Sequence, residues 1–427
     1  MMLALQIGGG FIVIAALLQA GAGAIAQVAG ALRKRSMDQQ RLAFFKKQTD
    51  ILINRAEADR QRNVLTWSGK RKFRVIKRQL ENRVGDICSF YLAPHDGGSL
   101  PPFLPGQFLT FELSIPDQPR PVVRCYSLSG SPEDRDFYRI SVRRQGPPPS
   151  AGPDVPGGLS SNFFHNNIKE GDVIDVMAPN GKFHLDVHSD RPVALIGGGV
   201  GLTPVLSMLK WLADTNSHRE AWFFYAVRNG EDVACIDEIR ETINNNSNFH
   251  LVVLYSEPAE NDVSEKNCDC QGYLSVDVMK NYLGTSNYEF YICGPPPMMD
   301  AVTTSLKEWG VPEDDIHFEA FGPASVKKTA PAGAAESAPG DGEAKTVSFA
   351  RSNKSAPWNE AAETLLDLAE ECGVQIASGC RAGNCGTCAT AVKEGKVTYV
   401  TPPTSQPAKG TALLCIACPD GDIVLDA

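Results

Sequence analysis

Five of the chain's twelve cysteines crowd between Cys380 and Cys418 of a 427-residue sequence. Twelve cysteines in that length are too few for a disulfide scaffold, so a local knot of five reads as metal ligation in a reducing compartment. The first three are spaced Cys380-x4-Cys385-x2-Cys388, and both Cys415 and Cys418 are available as a fourth. Thiolates in a C-x4-C-x2-C run with a distant fourth cysteine hold a [2Fe–2S] cluster. Gly379, Gly383 and Gly386 suit a tight loop whose backbone N–H groups turn toward the cluster sulfurs. Structural zinc is the competing reading, but zinc sites usually arrive as paired C-x2-C knuckles and not as a three-cysteine run.

The rest of the chain changes texture several times. Residues 1–32 carry no side-chain charge and are followed at once by Arg33-Lys34-Arg35. Roughly 20 apolar residues span a bilayer as a helix, and the positive-inside rule then keeps the C-terminal side in the cytoplasm. A single-pass anchor in the cell inner membrane is expected. A cleaved signal peptide lacks its basic n-region here, and a buried or interfacial helix remains a second alternative because Gly and Ala dilute the hydrophobicity. Residues 33–66 form a basic juxtamembrane helix, in which Leu42, Phe45, Thr49, Leu52 and Ala56 make one apolar stripe. Such a stripe is more often packing than membrane contact, although its basic surroundings favour an anionic leaflet. Residues 33–83 hold 16 basic and 5 acidic side chains, so with a net charge of −9 the remainder carries −20. That acidic body excludes general nucleic-acid binding.

From residue 67 to 188 short β-rich runs alternate with Gly/Pro turns, the pattern of an antiparallel barrel. Residues 189–322 alternate apolar strands with helices, which predicts a parallel sheet covered on both faces. Residues 323–345, rich in Ala, Pro and Gly, have almost nothing to bury and form a flexible linker. At ~5–6 Å × √n such a segment spans roughly 25–29 Å, about one domain diameter. Residues 346–427 make a compact C-terminal module around the cysteines.

Three motifs outside the cysteine loop carry chemistry. Gly197-Gly198-Gly199-Val200-Gly201-Leu202-Thr203-Pro204 follows the apolar strand VALI and opens a helix. Missing Cβ atoms let a pyrophosphate approach the backbone, and a helix N-terminus supplies N–H groups and positive dipole. Cys293-Gly294-Pro295 ends a later strand and, in a parallel sheet, lies on the same edge. Arg124-Cys125-Tyr126-Ser127 occurs in the β-rich region, with Gly158-Leu159-Ser160-Ser161 at a helix start, and Phe318-Glu319-Ala320-Phe321-Gly322 closes the series.

In this order and spacing the motifs resemble the ferredoxin reductase superfamily over about residues 67–427. The arrangement FAD domain, NAD domain, ferredoxin domain is similar to reductase components of multicomponent oxygenases of the phthalate dioxygenase reductase group. The flavin half is closer to the reductase module of flavohaemoglobin, without a globin. The C-terminal module resembles plant-type ferredoxins, which implies a β-grasp fold. It favours Cys415 over Cys418, because their last ligand stands four residues before a proline, as Cys415 does before Pro419. The resemblance implies that Ser127, Cys293 and Glu319 line the hydride-transfer site. It implies FAD contacts from Arg124, Tyr126, Gly158, Ser160, Ser161 and Phe321, with the guanidinium on the flavin phosphate and the Tyr126 face on the isoalloxazine. It implies nicotinamide dinucleotide contacts from Gly198, Gly199, Gly201, Thr203, Pro204, Gly294 and Pro295. Related NADPH enzymes carry Ser-Arg where this chain has Tyr255-Ser256-Glu257, so Glu257 predicts NADH, with Arg228 nearby to soften the bias.

The expected activity is NADH-dependent reduction of FAD, followed by single-electron transfer through the [2Fe–2S] cluster to a separate oxygenase, hydroxylase or desaturase. An electron-entry subunit of a membrane quinone-reducing complex is the alternative within electron transfer, and a redox sensor without turnover is the alternative outside it. Cys268 and Cys270 make only C-x-C and are read as unligated thiols on a polar loop. The seven histidines show no ligand spacing.

Overall fold

The computed structural model describes residues 33–427 except 36, 38, 40, 43–44, 47–48, 50–52, 54–55, 119–120, 148–156, 261, 263–266, 320, 322–344, 360–361, 380, 382, 384–385, 401–402 and 404–406. The chain divides into two compact units, residues 1–64 and 65–427. In the first, the described residues from Arg33 onward are helical, as expected. Leu42 and Phe45 of the anticipated stripe are 68% and 65% exposed, so they do not pack as that stripe was expected to. Among the described residues no helix is long and apolar enough to cross a membrane. The anticipated span, residues 1–32, lies outside them.

The second unit opens with six antiparallel strands: β1 (Lys70–Leu80), β2 (Ile87–Pro94), β3 (Phe108–Leu113), β4 (Val122–Ser127), β5 (Tyr138–Arg143) and β6 (Val173–Met177), in the order β4-β3-β6-β1-β2-β5. A bridge between Leu128 and Ile140 brings the end of β4 against β5 and closes the barrel. Closure leaves no sheet edge to manage. Helix α1 (Leu159–Asn166) caps it, placing Phe164 edge-on to Phe90, Phe111 and Tyr126.

The nucleotide-type domain follows the expected alternation. Strands β7 (Val193–Gly198), β8 (Ala221–Val227), β9 (Phe249–Tyr255), β10 (Cys270–Gln271), β11 (Glu289–Cys293) and β12 (Ile316–Glu319) form an all-parallel sheet in the order β10-β9-β8-β7-β11-β12. Every residue of central β7 is buried, as a strand covered on both faces requires. Helices α2 (Leu202–Asp214), α3 (Ile236–Asn244), α4 (Val276–Lys280) and α5 (Pro296–Glu308) cover it. Cys270 corrects one expectation. It does not lie on a loop but begins edge strand β10, its Sγ 3.2 Å from Tyr282 Oη, and Cys268 packs half-buried on the core. The polar insert before them hid a strand of two residues.

The sheet and the barrel share a core, since Ile87, Phe183 and Leu185 pack with α2 and β7. A buried ion pair fixes the strand ends opposite the motif edge: Arg219 Nη2 lies 2.6 Å from Glu289 Oε2, with Arg219 Nε and Nη1 donating to the carbonyls of Arg191 and Asp186.

The C-terminal module is a mixed sheet of β13 (Thr346–Phe349), β14 (Lys354–Pro357), β15 (Ala389–Glu394), β17 (Thr411–Leu413) and β19 (Ile423–Leu425), in the order β14-β13-β19-β15-β17, with β13 parallel to β19. A separate two-stranded antiparallel sheet pairs β16 (Val397–Tyr399) with β18 (Ala417–Pro419). Helix α6 (Leu365–Glu371) lies across it, capped by Thr364, whose Oγ1 accepts from Asp367 N and donates to Asp367 Oδ2.

Candidate functional site

Parallel strands deliver their C-terminal ends to one edge, and there the glycine turn, Cys293-Gly294-Pro295 and Glu319 meet. Cys293 pairs with Gly197 on one side and with Glu319 on the other, so β11 sets both flanks at fixed spacing. The barrel contributes Ser127 from the last position of β4. Its Oγ donates to Glu319 Oε2 at 3.4 Å. All three side chains are buried. Burial, and after it the Glu319 charge, push the Cys293 thiol well above its ordinary range, so it stays protonated. The three residues that the resemblance assigns to hydride transfer are therefore brought together from two domains.

The turn itself needs its glycines for a reason the sequence did not disclose. A Cβ on Gly201 would sit 2.3 Å from the Cys293 carbonyl oxygen, and one on Gly198 would meet Pro295 and Met298 at 2.7–2.8 Å. The two loops abut, and within the turn only Gly199, at φ +53°, has open space before it apart from Arg143 Nη1 at 3.6 Å. Thr203 and Pro204 are turned inward, with Thr203 Oγ1 donating to the Val200 carbonyl at 3.1 Å. They shape the turn and do not present side chains at its mouth. The start of α2 has no side-chain cap; the tight turn Gly199–Gly201 leads directly into it, and the Leu202 N–H donates to the carbonyls of Gly199 and Val200.

In the barrel, Tyr126 Oη donates to Ser160 Oγ at 3.1 Å, tying β4 to the start of α1. Burial raises the Tyr126 hydroxyl to about 12, so it is neutral at working pH. Ser161 Oγ accepts from Gln145 N and donates to the Gly158 carbonyl, which fixes the loop before the helix. Like α2, α1 begins without a side-chain cap. Burial, then the like charge of Arg381, lower the Arg124 guanidinium from its ordinary value. Phe321 stands 40% exposed just beyond β12.

Beyond β9, Glu257 is exposed and its N–H donates to the Arg228 carbonyl at 2.8 Å, so the carboxylate and Arg228 do share the strand edge. That bond and the neighbouring one from Ser256 N–H to the Val227 carbonyl hold this corner against β8. Arg228 Nε is drawn to the buried carboxylate of Asp232 at 3.0 Å, which offsets its charge.

Of the cysteine loop, Cys380 and Cys385 lie outside the described residues. Cys388, in the turn just before β15, and Cys415, in the turn after β17, are buried with their sulfurs 3.2 Å apart. That separation is far beyond the ~2.05 Å of a disulfide and suits two thiolates turned to a common centre. The backbone near them is tightly packed. Gly383 has φ +72°, and a Cβ there would strike Ile416 Cδ1 at 2.5 Å. Cys415-x2-Cys418 also has the spacing of a zinc knuckle, but Cys418 Sγ is turned to the Glu363 carbonyl at 3.5 Å, half-buried on β18. Arg381, at φ +53°, is paired with Glu370 and lies 3.9 Å from Asp367 Oδ1, which pins one end of the loop to α6.

Arg143 on β5 borders the glycine turn at Gly199, and Arg139 on the same strand pairs with Glu238 on α3; no local motif marked them. Their signal is tertiary.

Comparison with known proteins adds three family matches. Residues 77–185 match the oxidoreductase FAD-binding domain, 195–304 the oxidoreductase NAD-binding domain, and 349–420 the 2Fe-2S iron-sulfur cluster binding domain. A flavohemoprotein of Bacillus cereus is 38% identical over 259 residues, 61% of this chain and 62% of that protein. The chain thus spans about three-fifths of the length of such relatives, and the shared part is the flavin and nucleotide half. The flavohem-like FAD/NAD-binding domain of nitric oxide dioxygenase from Vibrio cholerae is 33% identical, with a TM-score of 0.52, covering 60% of this chain and all of that one. Phthalate dioxygenase reductase is 26% identical with a TM-score of 0.53, covering 84% of this chain and 98% of that one.

Proposed function

Because the chain belongs to the ferredoxin reductase superfamily, with flavin, nucleotide and iron–sulfur domains in the order of phthalate dioxygenase reductase, we propose that it draws electrons from NADH and delivers them singly to a separate protein. The observation that carries this reading is the meeting of Ser127, Cys293 and Glu319 across the boundary between barrel and parallel sheet. Bound FAD supplies the conversion of a hydride into two single electrons, and a bound [2Fe–2S] cluster passes them on one at a time.

The chain's own residues do the positioning. Ser127 presents a hydroxyl whose orientation Glu319 fixes. Cys293, protonated and buried, excludes water and keeps its small side chain between the two strands that frame the site. Glycines 198 and 201 bring the dinucleotide turn close to the Cys293 loop, and the N-terminus of α2 behind that turn is suited to a pyrophosphate. Arg124 and the uncapped start of α1 are suited to the flavin phosphates. Glu257 favours NADH by accepting ribose hydroxyls and repelling a 2′-phosphate. Cys388 and Cys415, with Cys380 and Cys385, hold the cluster.

The acceptor is proposed to be an oxygenase, hydroxylase or desaturase component. Residues 1–32 are proposed to anchor the chain in the inner membrane with the catalytic domains in the cytoplasm. Support for the anchor comes from sequence alone: no side-chain charge in that stretch and three basic residues directly after it. The exposed Leu42 and Phe45 add apolar surface beside that basic run.

Two assays test the proposal. The purified holoprotein should oxidise NADH with ferricyanide and also reduce a one-electron protein acceptor such as cytochrome c, whereas Cys415→Ser should keep the first activity and lose the second. Failure of NADH to support either reaction would overturn the reading. A version beginning at Leu65, where the second unit begins, should keep the ferricyanide rate but no longer sediment with membranes. Equal membrane binding by this shortened protein would overturn the anchor.

A further inference from the structure

Strand β5 alternates strictly. Tyr138, Ile140 and Val142 enter the barrel core, while Arg139, Ser141 and Arg143 point the other way. Period-2 alternation ordinarily marks a half-solvated strand. Here the polar face is covered: Arg139 is only 4% exposed, because the nucleotide-type domain lies against it.

Each arginine crosses the domain boundary. Arg139 Nη1 reaches Glu238 Oε2 of α3 at 2.9 Å, and Lys210 Nζ of α2 takes the other oxygen of the same carboxylate at 2.7 Å. On the barrel side, Arg139 Nε donates to Ser129 Oγ and Nη2 to the Ser129 carbonyl. Ser129 Oγ continues to Ser141 Oγ, and that to Ser89 Oγ. Burial works against both charges, but each holds the other ionised: Arg139 is raised and Glu238 lowered from the ordinary value. Arg143 Nε pairs with Asp86 at 2.9 Å, its Nη2 lies 3.8 Å from Asp232, and its Nη1 borders Gly199. At the far end of α2, Ser131 of the barrel donates to Asp214. Helix α2 is therefore held to the barrel at several points along its length, and the glycine turn leads directly into its N-terminus.

We propose that Arg139, with Arg143 on the same face of β5, is a positioning residue for hydride transfer: through Glu238 and Lys210 it sets the distance of the α2 glycine turn, and so of the nicotinamide, from the flavin. The proposal rests on the reading given under Proposed function and deepens it. Hydride transfer demands reacting atoms about 3–3.5 Å apart, and a displacement of about 1 Å costs on the order of a hundredfold. A link through one shared carboxylate is direct enough for its loss to matter at that scale. Neither arginine needs to touch the reacting atoms.

The test is anaerobic rapid mixing of the full-length holoprotein with NADH and with NADH deuterated at the transferred position. For Arg139→Gln and Glu238→Gln, flavin reduction should slow on the order of tenfold or more. FAD content and NAD⁺ affinity should hold, and the long-wavelength charge-transfer absorbance between nicotinamide and flavin should weaken. The double variant should be no slower than the slower single one, since both break the same link. A wild-type rate and a wild-type charge-transfer band in the variants would overturn the proposal, as would slowing that merely follows lost FAD. Ser131→Ala, which removes a separate link at the other end of α2, gives a second reading if Arg139→Gln folds poorly: an unchanged band there and in Glu238→Gln would count equally against it. If the wild-type flavin is itself not reduced by NADH, the functional reading falls, and that failure is distinct from the variants' behaviour.

Discussion

The barrel and the parallel sheet are joined by a shared apolar core and a buried ionic link, whereas the C-terminal module follows a segment, residues 323–345, with almost nothing to bury. The contrast matches what each half has to move. A hydride passes only between atoms in contact, so its donor and acceptor must be held by rigid elements. An electron leaving a cluster forms no bond to its acceptor, and the module that holds the cluster gains from being able to meet a partner. Perturbations should therefore sort by half.

The largest expected effect breaks the one-electron half alone. Cys415→Ser should abolish the visible absorbance of the cluster while FAD stays bound, and Cys418→Ser should keep both. Cluster loss in Cys418→Ser with retention in Cys415→Ser, read by absorbance and iron content, would reverse the ligand assignment. Next comes the hydride half. Ser127→Ala removes the hydroxyl that Glu319 orients, and flavin reduction by NADH should slow on the order of a hundredfold, the cost typical of a lost polar group at a reacting centre. Cluster absorbance should be untouched.

A third change sharpens the contrast through stability. Arg219→Met leaves Glu289 buried without its cation, and breaking such a pair costs about 3–5 kcal/mol. Denaturant unfolding followed by FAD fluorescence should shift to lower midpoint, while the cluster absorbance of the C-terminal module should keep its own transition. A single common transition would argue that the halves are not separate. A smaller effect concerns cofactor choice: NADH should be preferred, and Glu257→Arg should move the ratio of kcat/KM toward NADPH by roughly tenfold, about 1.4 kcal/mol. Unchanged preference would remove Glu257 from the ribose site. The smallest is Tyr126→Phe, which loses one hydrogen bond to Ser160 and about 1 kcal/mol of stability. The Tyr126 hydroxyl is raised above its unfolded value, so its contribution is complete below pH ~10 and is lost as pH rises through about 12. The difference between wild type and variant should accordingly be flat from neutral pH to the onset of that range.

Much of this was legible in the sequence because covalent spacing encodes it. The C-x4-C-x2-C run, the VALI strand before GGGVG and the Arg-x-Tyr-Ser motif each place chemistry within a few residues, and β7 is buried along its length as its composition implied. What was not legible depends on contacts between distant segments. Gly198 and Gly201 are glycine because the Cys293 loop presses on them, which a phosphate-centred reading does not reveal. Thr203 and Pro204 face inward, Thr203 tied to the Val200 carbonyl of its own turn. Cys270 looked like loop because a two-residue edge strand has no period to detect. The polar face of β5 is indistinguishable by sequence from a solvated one, since alternation reports which side meets the barrel core and says nothing of what covers the other.

The most direct test of the account is an anaerobic titration of the holoprotein with NADH, watching flavin and cluster absorbance together. The account predicts that both bleach in wild type, and that in Cys415→Ser the flavin bleaches with NADH as before. A flavin that NADH leaves oxidised, or a wild-type cluster that stays oxidised beside a fully reduced flavin, would contradict it.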